Sequence, residues 1–273
     1  MPYRIVEWGA LRWLYHALHP ALAMGRVIAA QPRPILVYQM SKVGSTSVCA
    51  ALRDAGLRPL HVHFLGPMWE ECRKAYGESG APPPIHLSVE RLLRPYLRFT
   101  SHRLKVVTLT RDPIGRYVSS AFQTARRDGY DTEDVGGTVE RLRGEILQGR
   151  GIDYCADWFD RELRAVFGVD VLAYDFDRQG GHSVVEGSRV DVLTLKLETL
   201  HDNWHTLSEF VRRPVESART KQRLALKGAD SYRKVRDQLS LPREAVEDYY
   251  DHPWMRHFYT EGEIVAFCDR WSV

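Results

Sequence analysis

Short apolar runs separated by amphipathic stretches set the pattern of the first two thirds of the chain. The runs ILVYQM at 35–40 and KVVTLT at 105–110 hold almost no polar residues, which is typical of parallel strands buried on both faces. The segment LRPLHVHFLG at 57–66 alternates apolar with polar positions and predicts another strand. Further short strands are predicted at 169–176 and 190–200, with a turn-rich hairpin between them.

Helix signals follow the first two of these runs. Ser45 or Thr46 fits the N-cap of a helix that runs to Ala55 and stops at Gly56. Asp112 is a good N-cap and Pro113 a good first helical residue, so a second helix is predicted directly after the strand at 105–110. Other helices are predicted at 85–97, as far as Pro95, and at 154–168. Strands alternating with helices predict an α/β fold with a central parallel sheet flanked by helices on both faces.

The chain shows no internal repeat and no low-complexity linker, so a single domain over 1–273 is predicted. Residues 1–30 are predicted to be a helical extension, 128–151 a mobile insertion, and 226–273 a helical C-terminal segment. No run at the N-terminus is long enough to cross a membrane. Packing of the extension on the domain is favoured, and peripheral membrane contact is the alternative, through an apolar set comprising Trp8, Leu11, Trp13 and Leu14.

Composition narrows the functional class. Of the 273 residues 44% are hydrophobic and 27% charged, and the net charge is only +3, which argues against a nucleic-acid partner. The four cysteines have neither disulfide-scaffold nor metal-site spacing, which favours reduced thiols in a cytoplasmic protein and predicts no metal site.

The loop QMSKVGSTS at 39–47 is the first candidate for chemistry. A helix N-terminus presents unpaired N–H groups and a partial positive charge, which suits a phosphate. Gly44 allows close approach, Lys42 adds a charge, and hydroxyls or backbone groups come from the rest of the loop, namely Ser41, Val43, Ser45, Thr46 and Ser47. The order Lys–Val–Gly–Ser–Thr differs from the Gly–Lys–Ser/Thr of nucleoside-triphosphate loops. An ordinary turn with a capping serine and a solvated lysine is the alternative.

The segment RDPIGRYVSS at 111–120 repeats this arrangement at the next junction. Arg111 lies where the strand ends, and its guanidinium suits a phosphate. Arg116, Ser119 or Ser120, and Gln123 share one face of the helix by their spacing. Pairing of Arg111 with Asp112, or capping of a neighbouring helix, is the alternative. Because parallel strands bind ligands at their carboxyl ends, two such junctions could hold one molecule with two anionic groups.

Together the two junctions resemble the sulfotransferases that use 3′-phosphoadenosine 5′-phosphosulfate (PAPS). In that family a segment similar to QMSKVGSTS binds the 5′-phosphosulfate, and one similar to TLTRDPIGRYVSS binds the 3′-phosphate through residues that match Arg111 and Ser119. LTLKLETL at 193–200 is similar to a late strand of these enzymes. The resemblance implies a three-layer, P-loop-like fold, PAPS as co-substrate, a hydroxyl acceptor and no required metal ion.

A narrower resemblance, to sulfotransferase-like bacterial proteins of capsular polysaccharide synthesis, covers most of the chain. It rests on YQMSKVGSTS, LHVHFL, the RDPIGR block and the tail at 226–271. In the tail, KGADSYRKV, which includes Lys227 and Tyr232, replaces the Lys–Trp–Tyr–Ser-like stretch of that group. This resemblance implies a saccharide or cell-surface polysaccharide as the acceptor.

The same resemblance assigns catalytic roles. Lys42 would stabilise the sulfuryl group and the departing phosphate oxygen. For the base that takes the acceptor proton, His86 leads because IHLSVERL is similar to a histidine-bearing segment of polysaccharide-acting relatives. His63 comes next and Glu90, one turn beyond His86, is a third candidate. The competing functions are a non-catalytic nucleotide- or polysaccharide-binding protein and, with less support, a nucleotide kinase.

Overall fold

A computed structural model of the chain describes residues 35–80, 85–99, 102–217 and 229–273. The predicted N-terminal helical extension at 1–30, with its membrane alternative, lies outside the described residues, as does Lys227. No helix within these four ranges has both the length and the apolar character needed to span a membrane.

Five strands form one mostly parallel sheet in the spatial order β2-β1-β3-β5-β4. Only β4 runs antiparallel to its neighbour among the described strands, at one edge of the sheet. The predicted α/β class with a central parallel sheet is therefore confirmed. The strands are β1 (Ile35–Tyr38), β2 (Pro59–Val62), β3 (Leu104–Thr110), β4 (His182–Glu186) and β5 (Val190–Lys196).

The register places the two candidate junctions side by side. β1 pairs directly with β3, with Leu36 opposite Val106 and Val37 opposite Val107. Every residue of β1 and nearly every residue of β3 is buried, so both faces of the central strands are covered. Because the strands are parallel, the loops that leave β1 and β3 emerge at the same edge of the sheet.

Helices follow the strands in the order that the apolar pattern predicts, including one after β1 and one after β3. A single continuous helix, α6, consists of Ile152–Trp158, the π-helical turn Phe159–Arg164 and Ala165–Phe167. The remaining helices are α1 (Ser45–Asp54), α2 (Met68–Ser79), α3 (Ile85–Phe99), α4 (Pro113–Asp128), α5 (Val135–Leu147), α7 (Trp204–Val211), α8 (Ala229–Gln238), α9 (Arg243–Tyr250), α10 (Pro253–Phe258) and α11 (Glu261–Trp271).

Residues 128–151, predicted to be a mobile insertion, instead hold the packed helix α5. Asp134 caps it by accepting from the backbone N–H of Gly137. Val139, Leu142 and Ile146 are buried in the core. The glycines in this segment made the helical spacing of its apolar residues hard to recognise in the sequence. The segment contains a packed helix where a mobile insertion was predicted.

The strand expected at 169–176 is also corrected. Those residues contain a short 3₁₀ helix, Val171–Ala173, which Asp170 caps through Leu172 N–H. The antiparallel partner of β5 lies later, at β4, inside the segment predicted to be the hairpin turn. The expected β-hairpin therefore exists, but its first strand begins at His182.

Two helix boundaries differ from the predicted ones. The N-cap of α1 is Gly44 rather than Ser45 or Thr46, and no side chain caps this helix. Helix α3 continues through Pro95 to Phe99. By contrast, Asp112 caps α4 as predicted, with Pro113 in its first turn.

Candidate functional site

The loop between β1 and α1 has an unusual backbone. Lys42 has φ of 69° and Gly44 has φ of 96°, both in the left-handed region. A lysine in this conformation is strained, and such residues concentrate at functional sites. The left-handed backbone favours glycine at position 44, and a Cβ there would also lie 2.6 Å from Leu197 Cδ1, so the Leu197 side chain would have to move.

The N-terminus of α1 is open to an anion. No side chain caps it and no acidic residue lies in its first turn. The N–H groups of Ser45 and Thr46, at the start of the helix, have no partner within the helix by geometry. Ser45 is buried and Thr46 exposed, whereas Val43 is fully buried in the core. Val43 can therefore serve a ligand only through its backbone.

A direct hydrogen bond joins the two junctions. Arg111, at the end of β3, donates from Nη1 to the backbone carbonyl oxygen of Lys42 at 2.8 Å. Both side chains are half-buried. Burial and then the nearby Arg111 charge lower the pKa of Lys42. The structure thus brings together Lys42 and Arg111, as predicted from their strands.

Ser119 lies along the face of α4 that Arg111 covers. The position of a Cβ built on Gly115 is 3.6 Å from Arg111 Nη2, so the guanidinium lies over the first turn of this helix. Ser119, half-buried, follows Gly115 by four residues and therefore lies one turn further along the same face. The predicted pairing of Arg111 and Ser119 in one binding site stays a prediction.

Asp112 anchors the second junction to the C-terminal helices. Its carboxylate accepts hydrogen bonds from Ile114 N–H and Gly115 N–H at the start of α4. It also accepts from Tyr250 Oη at 2.5 Å and from Trp271 Nε1 at 2.9 Å. No sequence motif indicates these two contacts, because Tyr250 and Trp271 each lie more than a hundred residues from Asp112 along the chain. Asp112 does not form an ion pair with Arg111 in the described residues.

A second carboxylate, Glu198, lies close to both junctions. It follows β5 in a short 3₁₀ turn and accepts from the backbone N–H of Asp112 at 2.8 Å. Burial raises the pKa of Glu198 to about 7, against the lowering effect of that hydrogen bond. Its position in LTLKLETL was noted in the sequence, but its contact with the second junction was not.

A cleft of about 510 Å³ opens beside the first loop. Ser41 of that loop and His63 line it, together with the face of α4 that carries Arg116, Ser120 and Gln123. Ser120 rather than Ser119 therefore faces this cleft. Tyrosines and charged groups of α2, α4, α5, α6 and the loop between α4 and α5 complete the lining, among them Tyr76, Tyr117, Tyr130, Arg141, Glu145 and Tyr154.

His63 is the candidate base that the structure places in this cleft. Its side chain is buried and its Nδ1 lies 2.8 Å from the carbonyl oxygen of Gln39. A carbonyl oxygen only accepts, so the neutral ring carries its hydrogen on Nδ1 and its lone pair on Nε2. Burial lowers the pKa of His63, which favours this neutral form.

Glu90 supports the backbone at His63. Its Oε1 accepts from His63 N–H at 2.6 Å and from Phe64 N–H at 3.1 Å. Glu90 is fully buried, and burial raises the pKa of its carboxyl to about 8. It does not line the cleft. His86 lies in α3, but its side chain is outside the described residues.

Glu162, a residue that no sequence motif singles out, holds the loop after β2. This buried carboxylate lies in the π-helical turn of α6. It accepts from Tyr38 Oη and from three backbone N–H groups, those of Leu65, Gly66 and Met68. These bonds fix the chain that leaves His63. Within the described ranges, no cluster of three or more histidine, cysteine or acidic side chains could hold a metal ion.

Comparison with known proteins gives one match. A family model described as "Putative capsular polysaccharide synthesis protein" matches residues 133–260, somewhat less than half of the chain. No curated protein matches, and no solved structure matches. The matched region begins after both junctions and runs from the segment before α5 to Thr260, so it includes Tyr250 and Glu198. The family description names capsular polysaccharide synthesis.

Proposed function

We propose that this chain is a sulfotransferase with a P-loop-like fold that moves the sulfuryl group of PAPS to a hydroxyl of a saccharide. The observation that carries the proposal is the hydrogen bond from Arg111 to the carbonyl of Lys42. This bond joins the two strand-to-helix junctions at one edge of the sheet. A ligand with two separate anionic groups can contact both junctions there. In this arrangement Lys42, Gly44, Ser45 and the N-terminus of α1 hold the 5′-phosphosulfate, and Arg111 with Ser119 holds the 3′-phosphate.

The electrostatics of the site support an anionic ligand. Arg111 lies close enough to Lys42 to lower its pKa, and neither residue forms an ion pair with the described residues. The positive end of α1 adds to the same field. Donors fixed before the reaction stabilise charge that develops during transfer. The site is therefore suited to the negative charge that grows on the leaving phosphate.

In the proposed reaction the acceptor hydroxyl oxygen forms a bond to sulfur while the bond from sulfur to the bridging phosphate oxygen breaks. The acceptor proton goes to Nε2 of His63, and adenosine 3′,5′-bisphosphate leaves with the bonding electrons. Lys42 neutralises the charge on that product. His63 is assigned as base on its position in the cleft beside Ser41 and on its neutral tautomer.

A saccharide acceptor is supported by two observations. The family description names capsular polysaccharide synthesis. The cleft beside the first loop has a volume of about 510 Å³, within the range of small-molecule sites, and its wall is rich in tyrosines. Aromatic faces flanked by polar groups are suited to sugar rings.

The kinase alternative is disfavoured by the engagement of Asp112. A kinase needs an acidic residue near its phosphate loop to hold Mg²⁺. Asp112 occupies the corresponding strand end, but its two carboxylate oxygens accept four hydrogen bonds from α4 and the C-terminal helices. This carboxylate acts as a structural anchor.

The proposal is tested by calorimetry with adenosine 3′,5′-bisphosphate, ADP and ATP. We expect the bisphosphate to bind at least tenfold more tightly than ADP or ATP. Arg111→Ala should weaken its binding by more than tenfold, because the mutation removes a phosphate contact and the tether to Lys42. Lys42→Ala should abolish transfer with only a modest loss of binding.

The matched controls are Lys74→Ala and Arg73→Ala, which remove exposed cations of α2. Both should leave binding and transfer unchanged. Equal or tighter binding of ADP, or full transfer by Lys42→Ala, would contradict the proposed donor and the role of Lys42.

A further inference from the structure

Arg116 is a buried cation without a counter-ion. Its side chain lies on the second turn of α4 and is 3% exposed. It forms no ion pair with the described residues, its side-chain hydrogen bond goes to the Cys155 thiol, and its Nε is buried without a partner. An arginine that remains charged inside a protein usually has a carboxylate partner, since an unpaired buried charge costs several kcal/mol.

The tyrosine and cysteine side chains nearest Arg116 are neutral, and the Asp112 carboxylate one turn earlier is already engaged in four hydrogen bonds. Its guanidinium lies 4.4 Å from the centre of the Tyr154 ring, a cation–π contact that stabilises the charge without neutralising it. Cys155 and Tyr249 are its other titratable neighbours. Burial raises the pKa of both the Cys155 thiol and the Tyr249 hydroxyl, so neither supplies a negative charge at neutral pH.

The other arginines of the same cleft are paired. Arg127 binds Asp128 through two hydrogen bonds. Arg141 bonds to Glu145 at 3.2 Å, and Arg150 lies 3.7 Å from the same carboxylate. Arg116 is thus the arginine of the cleft lining whose charge the described residues leave uncompensated.

The position of Arg116 relates it to the proposed reaction. The cleft that it lines is also lined by Ser41 of the first loop and by His63. A saccharide in this cleft would therefore lie against the loop, the proposed base and Arg116. Ser120 and Gln123, one and two turns further along α4, add polar groups beside it.

We propose that Arg116 binds an anionic group, a carboxylate or a sulfate, on a sugar of the acceptor saccharide. The planar guanidinium can donate two parallel hydrogen bonds to either group. This inference rests on the proposed function for the identity of the acceptor, but the anion site itself is a property of the cleft. Through this contact with the anionic group, Arg116 selects acidic over neutral saccharides.

The test is a thermal-shift and calorimetric titration at constant ionic strength with sodium glucuronate, glucose 6-sulfate and glucose. We expect the two acidic sugars to bind the wild-type protein at least tenfold more tightly than glucose. Arg116→Met should remove this preference, and Arg116→Lys, which keeps the charge but not the planar guanidinium, should reduce it. Binding of glucuronate alone or of glucose 6-sulfate alone would identify the natural anion.

The matched control is Arg127→Gln, which changes a paired arginine on the same helix. We expect its preference for acidic sugars to stay within threefold of wild type. Arg116→Met should leave the melting temperature without ligand unchanged or raised, because it removes an uncompensated buried charge. A lower melting temperature with an intact preference for acidic sugars would assign Arg116 to packing on Tyr154 and overturn the proposal.

Running the titrations with and without adenosine 3′,5′-bisphosphate separates the two proposals. If the bisphosphate does not bind but acidic sugars still require Arg116, the donor assignment fails and the anion site stands. If the bisphosphate binds and wild type shows no preference for acidic sugars, the donor assignment stands and the anion site is refuted.

Discussion

His63, the proposed base, shows how burial sets the protonation state of one side chain. The carbonyl of Gln39 fixes its tautomer, and Glu90 fixes its backbone through two N–H groups. Burial lowers its pKa, so the ring stays neutral below the pH at which an exposed histidine would be half protonated. A neutral imidazole is the form that accepts a proton.

We therefore expect His63→Ala to lower kcat for sulfuryl transfer by roughly 10²- to 10⁴-fold, with less than a threefold change in affinity for adenosine 3′,5′-bisphosphate. In the wild type, kcat should fall toward acid pH with a midpoint below the ordinary histidine value of 6.5, because the pKa of His63 is lowered. Steady-state kinetics between pH 5 and 8 measure both effects.

His61→Ala is the matched control, since its ring lies 4.5 Å from that of His63. It should retain most of the activity. An unchanged kcat for His63→Ala would remove His63 from the mechanism and leave His86 as the candidate base, since Glu90 does not line the cleft.

At the scale of helices and strands, most of the sheet and its site-bearing junctions could be predicted from the sequence. The runs that became β1, β3 and β5 are apolar and short, and a Pro113 after Asp112 defines the start of α4. The strands and the start of α4 could be predicted because each depends on residues that are close together in the sequence.

The elements that were missed depend on less local information. The buried face of α5 was hidden by Gly136, Gly137 and Gly144, although Val139, Leu142 and Ile146 have helical spacing. The partners of Asp112 at Tyr250 and Trp271 come from tertiary packing. No pattern in one sequence identifies such long-range hydrogen bonds.

The attachment of the C-terminal helices to Asp112 gives a prediction at this scale. Tyr250→Phe removes one of four hydrogen bonds to a buried carboxylate, so we expect the free energy of unfolding to fall by about 1–2 kcal/mol. Binding of adenosine 3′,5′-bisphosphate should weaken as well, because Asp112 adjoins Arg111. Urea denaturation and calorimetry measure the two effects.

The control for this prediction is Tyr174→Phe, which removes a hydroxyl from an exposed tyrosine and should change neither quantity. If Tyr250→Phe were as stable as the wild type, the bond to Asp112 would not support the second junction.

For the whole molecule, the buried carboxyl of Glu90 links stability to pH. Burial raises its pKa from the ordinary value of 4.5 to about 8, so the folded protein holds this proton more tightly than the unfolded chain. Its stabilising contribution is complete below about pH 4.5 and is lost as the pH rises through about 8. The stability of the folded domain should therefore decline over this interval on account of Glu90.

Glu90→Gln should remove that decline. We expect the difference in unfolding free energy between wild type and variant to change by on the order of 3 kcal/mol from pH 5 to pH 8, in favour of the variant at high pH. Urea denaturation at several pH values measures it. The contribution of Glu198 is shared by both proteins and cancels, whereas Glu162 acts on Glu90 directly and contributes to the measured difference.

Glu78→Gln, at an exposed position of α2, is the control and should follow the wild-type curve. Parallel curves for wild type and Glu90→Gln would show that Glu90 titrates alike in the folded and unfolded chains.

The contact between Gly44 and Leu197 limits which substitutions homologues of this protein can accept at these two positions. A smaller residue at 197 would open space for a side chain at 44, but the left-handed backbone would still oppose it. Active homologues should therefore keep glycine at the position of Gly44 whatever residue replaces Leu197. Substitution at this contact is therefore expected at Leu197, in the 3₁₀ turn after β5, and not at Gly44.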